Sequence, residues 1–212
     1  PKAMENQPKS IQGLIDSYIA EEQARKAKRE RSGKWSPSAF GKCYRAQFWN
    51  RKNVPISNPI EPRKLRVFKC GDLFHDFVKN LVKEEGFKEE VLCETDDIKG
   101  YADLVSPICV WDIKSQHSFA FHYMAKSEDI GEDKKPNVLQ VIWYADFLKL
   151  PEGRLVFVSK DDLCIQEYGF PRNEKWLGEL AQELATLRDY WNKGELPPAE
   201  PRAYCDKKTG KS

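Results

Sequence analysis

The sequence predicts a mixed α/β fold: a mixed central β-sheet flanked by helices, with an added N-terminal helical region. Two observations carry this. Short runs rich in β-branched and aromatic residues, bounded by Gly, Pro and Asp, occur at 87–94, 100–105, 108–115 and on either side of Asp161-Asp162. Longer stretches with apolar residues at helical spacing lie before, between and after them. The order is helices, three strands, two helices, two strands and a helix, and such an order buries a sheet beneath helices.

The first helix is expected from residue 11 to about 31, with Ile11, Leu14, Ile15, Tyr18 and Ile19 on one face. "GKWSPSAFGKCYRAQFWNRK" predicts a second, with Ser36 as N-cap and Pro37 at the first helical position. After the loop "NVPISNPIEP", a third helix runs from 61 to about 85, with Leu65, Phe68, Leu73, Phe77, Leu81 and Val82 as its inner positions, and Gly86 ends it. "SFAFHYMAKS" reads as a helix, "EDIGEDKKP" as a polar loop, and 137 to about 148 as a helix closing at "LPEGR". "LVFVSKDDLCIQEYGF" reads as a hairpin turning at its Asp pair, and 176 to about 193 as the final helix, broken by "GELPPAEP". The expected division is an N-terminal helical region (1–60), a core (61–197) and a tail (198–212).

Composition sets bounds on function. The chain has 212 residues, 40% hydrophobic and 12% aromatic, enough to fill a core. A net charge of +2 does not by itself demand a nucleic-acid partner. Clustering says more: Arg25, Lys26, Lys28, Arg29, Arg31 and Lys34 form a basic run, followed by Arg45, Arg51 and Lys52. Such a run is either a solvated helix face or a surface that follows phosphates. No window is apolar enough to span a membrane, so no membrane partner is expected. "PKAMENQPKS" has no apolar signal core and reads in part as a cloning remnant, which predicts a cytoplasmic protein. The six cysteines lack CxxC spacing, and a disulfide framework is not expected. Cys109 and Cys164, in apolar runs, are expected as small core residues.

The stretch "GYADLVSPICVWDIKSQ" sets two carboxylates and an ammonium among residues suited to buried strands. Alternation places Val110, Asp112 and Lys114 on one face and Trp111 and Ile113 on the other. Two unrelated solvent-facing polar residues would share that parity, but the apolar flanks argue against a wet face. Buried unpaired charges are costly, and neighbouring carboxylates repel. A hard divalent cation with oxygen ligands is the simplest way to keep Asp103 and Asp112 in one cleft. Elsewhere, His75 lies among apolar helical positions, as a core histidine or a metal ligand. Gln140 and Tyr144 share a helical face, either an ordinary boundary or one suited to phosphate oxygens or a neighbouring lysine.

Taken in order, Gly71-x-x-x-His75, Gly100-x-x-Asp103, Asp112-Ile-Lys114 and Gln140-x-x-x-Tyr144 resemble the motifs of the PD-(D/E)XK nuclease superfamily, in its RecB-like branch. The pattern is most similar to the CRISPR-associated protein 4 exonucleases and their phage-borne relatives, over roughly residues 36–144. The resemblance implies a restriction-endonuclease-like core and a Mg²⁺ or Mn²⁺ ion held by His75, Asp103, Asp112 and the carbonyl of Ile113. It implies that Lys114 orients or activates the attacking water, supported by Gln140 and Tyr144, with Glu94 as an outer acid. In those relatives an early cysteine joins three late ones around an iron–sulfur cluster. Cys43 and Cys205 fit two of the positions and the other two are missing, so a cluster is not supported by the cysteines present.

The expected activity is therefore a metal-dependent DNA nuclease, an exonuclease on single-stranded or frayed ends in preference to an endonuclease or resolvase. Lys34, Arg45 and Arg51 would hold the DNA, with Trp35, Phe40, Tyr44, Phe48 and Trp49 either stacking bases or packing the core. The alternatives are a non-cleaving nucleic-acid-binding module and an iron–sulfur sensor.

Overall fold

A computed structural model of the protein describes residues 10–27, 32–55 and 60–199. Three strands, β1 (Lys88–Glu94), β2 (Lys99–Val105) and β3 (Cys109–Gln116), form an antiparallel meander. β3 pairs in parallel with β4 (Glu152–Ser159), which turns back into β5 (Ile165–Pro171), giving a five-stranded sheet in sequence order. A parallel pair needs a crossover, here α4 (Ser118–Met124), α5 (Ile130–Asp133) and α6 (Lys135–Phe147). Preceding the sheet are α1 (Ile11–Ala27), α2 (Tyr44–Arg51) and α3 (Pro62–Val82), and α7 (Glu174–Lys193) follows it. Among the described residues, no helix is long and apolar enough to cross a membrane.

The sheet separates two apolar layers. On one face α6 is buried from Val138 to Ala145, between β3 and β4 below and α7 above. A helix apolar on all sides suits such a place. Trp35, Phe40 and Phe48 join this larger layer. On the other face α3 covers a smaller cluster of Val78, Leu104, Ile113, Val156 and Val158, with Phe74, Val82, Phe87 and Trp111 at its margin.

Two irregularities position the functional residues. Alternate strand residues normally share a face, yet Ala102 belongs to the α6 layer and Leu104 to the α3 layer. On the neighbouring strand, Val91 and Cys93 pack with the α6 layer while Phe87 packs with the α3 layer. Both pleats reverse at one place. The register pairs Glu89↔Leu104 and Val91↔Ala102 leave Glu90 opposite Asp103, and Glu90 takes φ +47°. Beyond this point β2 and β3 part: their register holds only Leu104↔Trp111 and Val105↔Val110.

Several expectations need correction. The second helix is broken: a single 3-10 turn (Pro37–Ala39) is followed by Gly41 at φ +70°, and α2 begins only at Tyr44. A Cβ on Gly41 would lie 2.9 Å from the Pro136 Cα, so the chain turns here with no side chain in the way. Ser36 makes no side-chain cap. On α3 the stripe facing the sheet is Phe74, Val78 and Val82, one turn apart, whereas Phe68, Leu73, Phe77 and Leu81 are exposed. Apolar residues line both flanks of this helix, and the flank that brings His75 to the sheet faces inward. On α1 only Ile19 of the expected apolar face is buried. The "EDIGEDKKP" loop contains the short α5, capped by Asp129 accepting the Glu132 N–H. Cys164 is an exposed turn residue whose N–H is held by Asp162, whereas Cys109 is buried as expected.

Gly153 of β4 lies directly under α6, and a Cβ there would meet the Val141 side chain at 2.9 Å and its carbonyl oxygen at 3.0 Å. Gly153→Ala is expected to cost about 1–3 kcal/mol of stability. Gly71→Ala, whose Cβ would make an ordinary 3.6 Å contact with Ser115 Oγ, is expected to gain about 0.5–1 kcal/mol of helix preference. Urea unfolding of the two variants measures both.

Candidate active site

The parting of β2 and β3 is built around Asp103. In a continued ladder the Ile113 N–H would reach a β2 carbonyl. Instead it donates to Asp103 Oδ2 at 2.8 Å. From the α3 side, His75 Nε2 lies 2.9 Å from the same oxygen. The carboxylate therefore wedges the strands apart while sitting between a backbone donor and an imidazole.

Asp112 and Lys114 share the α6 face of β3, as strand parity predicts. Asp112 is 1% exposed. Its Oδ1 accepts from Gln140 Nε2 at 2.8 Å. Its Oδ2 receives no hydrogen bond of suitable geometry and instead lies in ion contact with Lys114 Nζ at 2.6 Å. Tyr144, one turn beyond Gln140 on α6, is also buried. Gly100 explains how its hydroxyl fits: a Cβ there would come within 2.5 Å of Tyr144 Oη and 2.9 Å of the Pro37 ring. The Gly100-x-x-Asp103 spacing thus combines a backbone that clears Tyr144 with the wedge residue.

Electrostatics separates the two carboxyls. Burial pushes Asp112 up to about 6, against the pull of Lys114, and the charge of Asp103 adds to the rise. Burial also acts to raise Asp103, but the His75 hydrogen bond and charge, Lys114 and the Ile113 N–H outweigh it and hold this carboxyl below its usual range. Burial opposes the Lys114 ammonium, yet Asp112 and Asp103 keep its pKa raised. Burial drives the Tyr144 phenol upward, reinforced by both aspartates, so it remains a neutral donor.

One acid missing from the sequence reading joins the group. Ligand atoms of His75, Glu90 and Asp103 lie within 4.8 Å of one another. Glu90 was hidden because regular alternation does not bring it there; the only signal was a second acid in "KEEV". Glu94 lies apart, ion-paired with Lys34 at 2.9 Å and Lys99 at 3.1 Å. The donors present, an imidazole and carboxylates, suit a hard divalent cation. The Ile113 carbonyl lies on the same strand as Asp112 and Lys114.

A cleft of about 770 Å³ opens beside Gln140 and Tyr144, lined also by Lys34, Lys99, Asn50, Asn53 and Gly100. Lys34 reaches the Thr95 carbonyl and Glu94 across it. Arg45 and Arg51 have internal partners: Arg45 Nε donates to the Pro197 carbonyl, and Arg51 lies between the rings of Trp35 and Trp191. Trp35, Phe40 and Phe48 are core residues, which removes them as surfaces for base stacking; Trp49 remains partly exposed. Lys42, not foreseen, has its pKa lowered by burial and by the nearby Lys114, with Asp112 opposing. Cys43 stands at the start of α2, and Cys205 lies outside the described residues.

No family model and no curated protein matches the sequence. Solved structures do share its fold. A protein named SSO0001 is 18% identical, over 92% of this chain and 90% of its own, with a TM-score of 0.55. The alkaline exonuclease LHK-Exo from Laribacter hongkongensis is 15% identical, over 77% of this chain and 94% of its own, with a TM-score of 0.54. LHK-Exo in complex with dAMP gives 15% identity, over 76% and 89%, and a TM-score of 0.58. The mixed sheet, its flanking helices and the N-terminal helix are thus an architecture shared with these proteins.

Burial acts to lower the His75 pKa, but the Asp103 hydrogen bond and charge outweigh it, leaving the imidazole above its ordinary 6.5. A folded value above the unfolded one gives stability that is complete below about pH 6.5 and is lost as the pH rises through the folded value. The melting temperature of the protein in EDTA is expected to fall across that window, and His75→Gln to flatten the slope.

Proposed function

We propose that this protein is a divalent-metal-dependent deoxyribonuclease of the PD-(D/E)XK superfamily, in its RecB-like branch, acting as an exonuclease on single-stranded or frayed DNA ends. The observation that carries this reading is the meeting of Asp103, Asp112 and Lys114 where β2 leaves β3, with Gln140 fixing Asp112. A non-cleaving binder has no use for so costly a trio. The motif order resembling CRISPR-associated protein 4 exonucleases and their phage-borne relatives supports the same reading. So does the shared fold with LHK-Exo, an alkaline exonuclease solved with a mononucleotide.

His75, Asp103, Asp112 and the Ile113 carbonyl would hold Mg²⁺ or Mn²⁺. Such an ion lowers the pKa of its water and withdraws charge from a phosphate. The chain's own groups supply the rest. The Gln140 amide occupies one Asp112 oxygen and leaves the other beside the Lys114 ammonium. Lys114, on the same face, presents its ammonium where an attacking water and the charge building on phosphorus would lie. The Tyr144 hydroxyl, kept protonated, can donate to a phosphate oxygen. Lys34 and Lys99, with Asn50 and Asn53, line a cleft of nucleotide dimensions leading to these groups.

The test is a time course on end-labelled single- and double-stranded DNA with Mg²⁺ or Mn²⁺. Cleavage is expected with either ion and not in EDTA, and circular single-stranded DNA is expected to stay intact. Asp112→Ala and Lys114→Ala are each expected to lower the rate about 10²–10³-fold. Cutting at the wild-type rate by either variant would overturn the assignment. DNA affinity is expected to fall as salt rises, through counterion release.

A further inference from the structure

We propose that Lys42 is a substrate-binding residue, holding a phosphate that flanks the scissile one, and that Glu183 is the positioning residue that sets it there. This assignment rests on the nuclease reading for its substrate, and names within that site a contact that the basic run of the sequence did not supply. Three observations converge on it.

First, Lys42 is a cation beside the site with no carboxylate of its own. Its ammonium donates to the Ser38 carbonyl at 2.6 Å, and Ser38 lines the cleft that opens beside Gln140 and Tyr144. Among the described residues, the charges that act on Lys42 are those of Lys114 and Asp112. Asp112 is already engaged by Lys114 and Gln140. Ammoniums held near one another repel, and an anion reaching both removes that cost. A phosphodiester is such an anion, and lysine binds phosphate as a point charge. The cations expected from the sequence are occupied: Lys34 by Glu94, Arg45 by the Pro197 carbonyl and Arg51 by two indole rings.

Second, the turn that carries Lys42 is fixed by a buried carboxylate. Glu183 of α7 is 5% exposed, and both its oxygens accept from the Gly41 N–H, at 2.8 and 2.9 Å. Its Oε1 also accepts from Gln47 Nε2 at 3.0 Å, and that nitrogen donates to the Lys42 carbonyl at 3.0 Å. Lys42 is thus bracketed through the peptides on both its sides. The neighbouring buried places on this face of α7 hold Leu180, Leu184 and Leu187. Packing alone would put another apolar residue among them, since a buried carboxylate is costly.

Third, the turn is referenced to the helix that orients Asp112. A Cβ on Gly41 would lie 2.9 Å from the Pro136 Cα, so the turn rests against the first turn of α6. Pro136 stands one turn before Gln140, whose amide holds Asp112. Lys42 and the Asp112–Lys114 pair therefore share one rigid support.

Fluorescence anisotropy of a labelled single-stranded oligonucleotide on the full chain in EDTA, repeated across a salt series, tests this apart from cleavage. Lys42→Met is expected to weaken binding about tenfold or more. It is also expected to reduce the slope of log affinity against log salt by about 0.7, the share of one phosphate contact on a single strand. Lys42→Arg, which keeps the charge, is expected to stay within about threefold of wild type. With Mg²⁺ present, the loss in Lys42→Met is expected in KM rather than kcat, because a flanking phosphate is held alike in ground and transition states. Glu183→Gln is expected to reproduce the weakening, and to add less than about twofold when made together with Lys42→Met. If Lys42→Met binds like wild type or keeps the full salt slope, this inference is overturned and the nuclease reading stands. If Glu183→Gln weakens Lys42→Met as much as it weakens wild type, the positioning role is overturned. If the unaltered protein neither binds nor cuts DNA, both readings fall.

Discussion

One hydrogen bond organises this protein: the Ile113 amide donates to a carboxylate of Asp103 where a sheet would supply a backbone carbonyl. By taking that donor, Asp103 ends the β2–β3 ladder after Val105↔Val110 and Leu104↔Trp111. The strands part without leaving this amide unsatisfied, which would cost about 1–3 kcal/mol. The opening makes room for His75 from one side and for Asp112, Lys114, Gln140 and Tyr144 from the other. A single acidic side chain is thus both a piece of sheet architecture and a member of the charged cluster.

The cluster is held in check by ion pairing, within β3 and between α3 and the sheet. Lys114 balances Asp112, His75 balances Asp103 and Lys79 balances Glu90. Each pair joins a carboxylate to a base from the same strand or from α3, so no charge is buried alone. Gln140 then fixes Asp112 without adding charge. Burial raises both aspartates, but the hydrogen bonds from His75 and the Ile113 N–H, which Asp112 lacks, leave Asp103 lowered while Asp112 is raised, although the two share neighbours. That inequality is what lets close carboxylates divide their roles.

Much of this was legible in the residues. Parity placed Asp112 and Lys114 on one face, helical spacing placed Gln140 beside Tyr144, and the motif resemblance grouped His75 with Asp103, whose carboxylate lies 2.9 Å from it. The misses share a physical origin in exceptions to regular geometry. Glu90 was invisible because period-2 alternation assumes a continuous pleat, and both strands reverse theirs. The inner face of α3 was misread because hydrophobicity alone favoured Leu73, Phe77 and Leu81, whereas delivery of His75 selects the stripe through Phe74 and Val78. The second helix was drawn through Gly41 because its left-handed turn depends on Pro136, a distant neighbour that the local sequence does not reveal. Arg51, read as a phosphate contact, instead rests between Trp35 and Trp191, and this cation–π stack joins α2 to α7.

The parallel pairing of β3 with β4 also bears on how the molecule comes into being. The strand carrying Asp112 and Lys114 gains its partner on that side only after the whole crossover from Ser118 to Phe147 has been synthesised and laid over the sheet. Closing so long a loop takes entropy before contacts compensate it. The β1–β2 hairpin, by contrast, closes locally. Chain collapse therefore has a natural order: the Glu90–Asp103 half of the cleft can form early, and the Asp112–Lys114 half is completed when α6 docks. A nascent chain released before β4 would carry α6 without one of the two strands it docks on, so the assembled charged cluster would arise as a late step of folding.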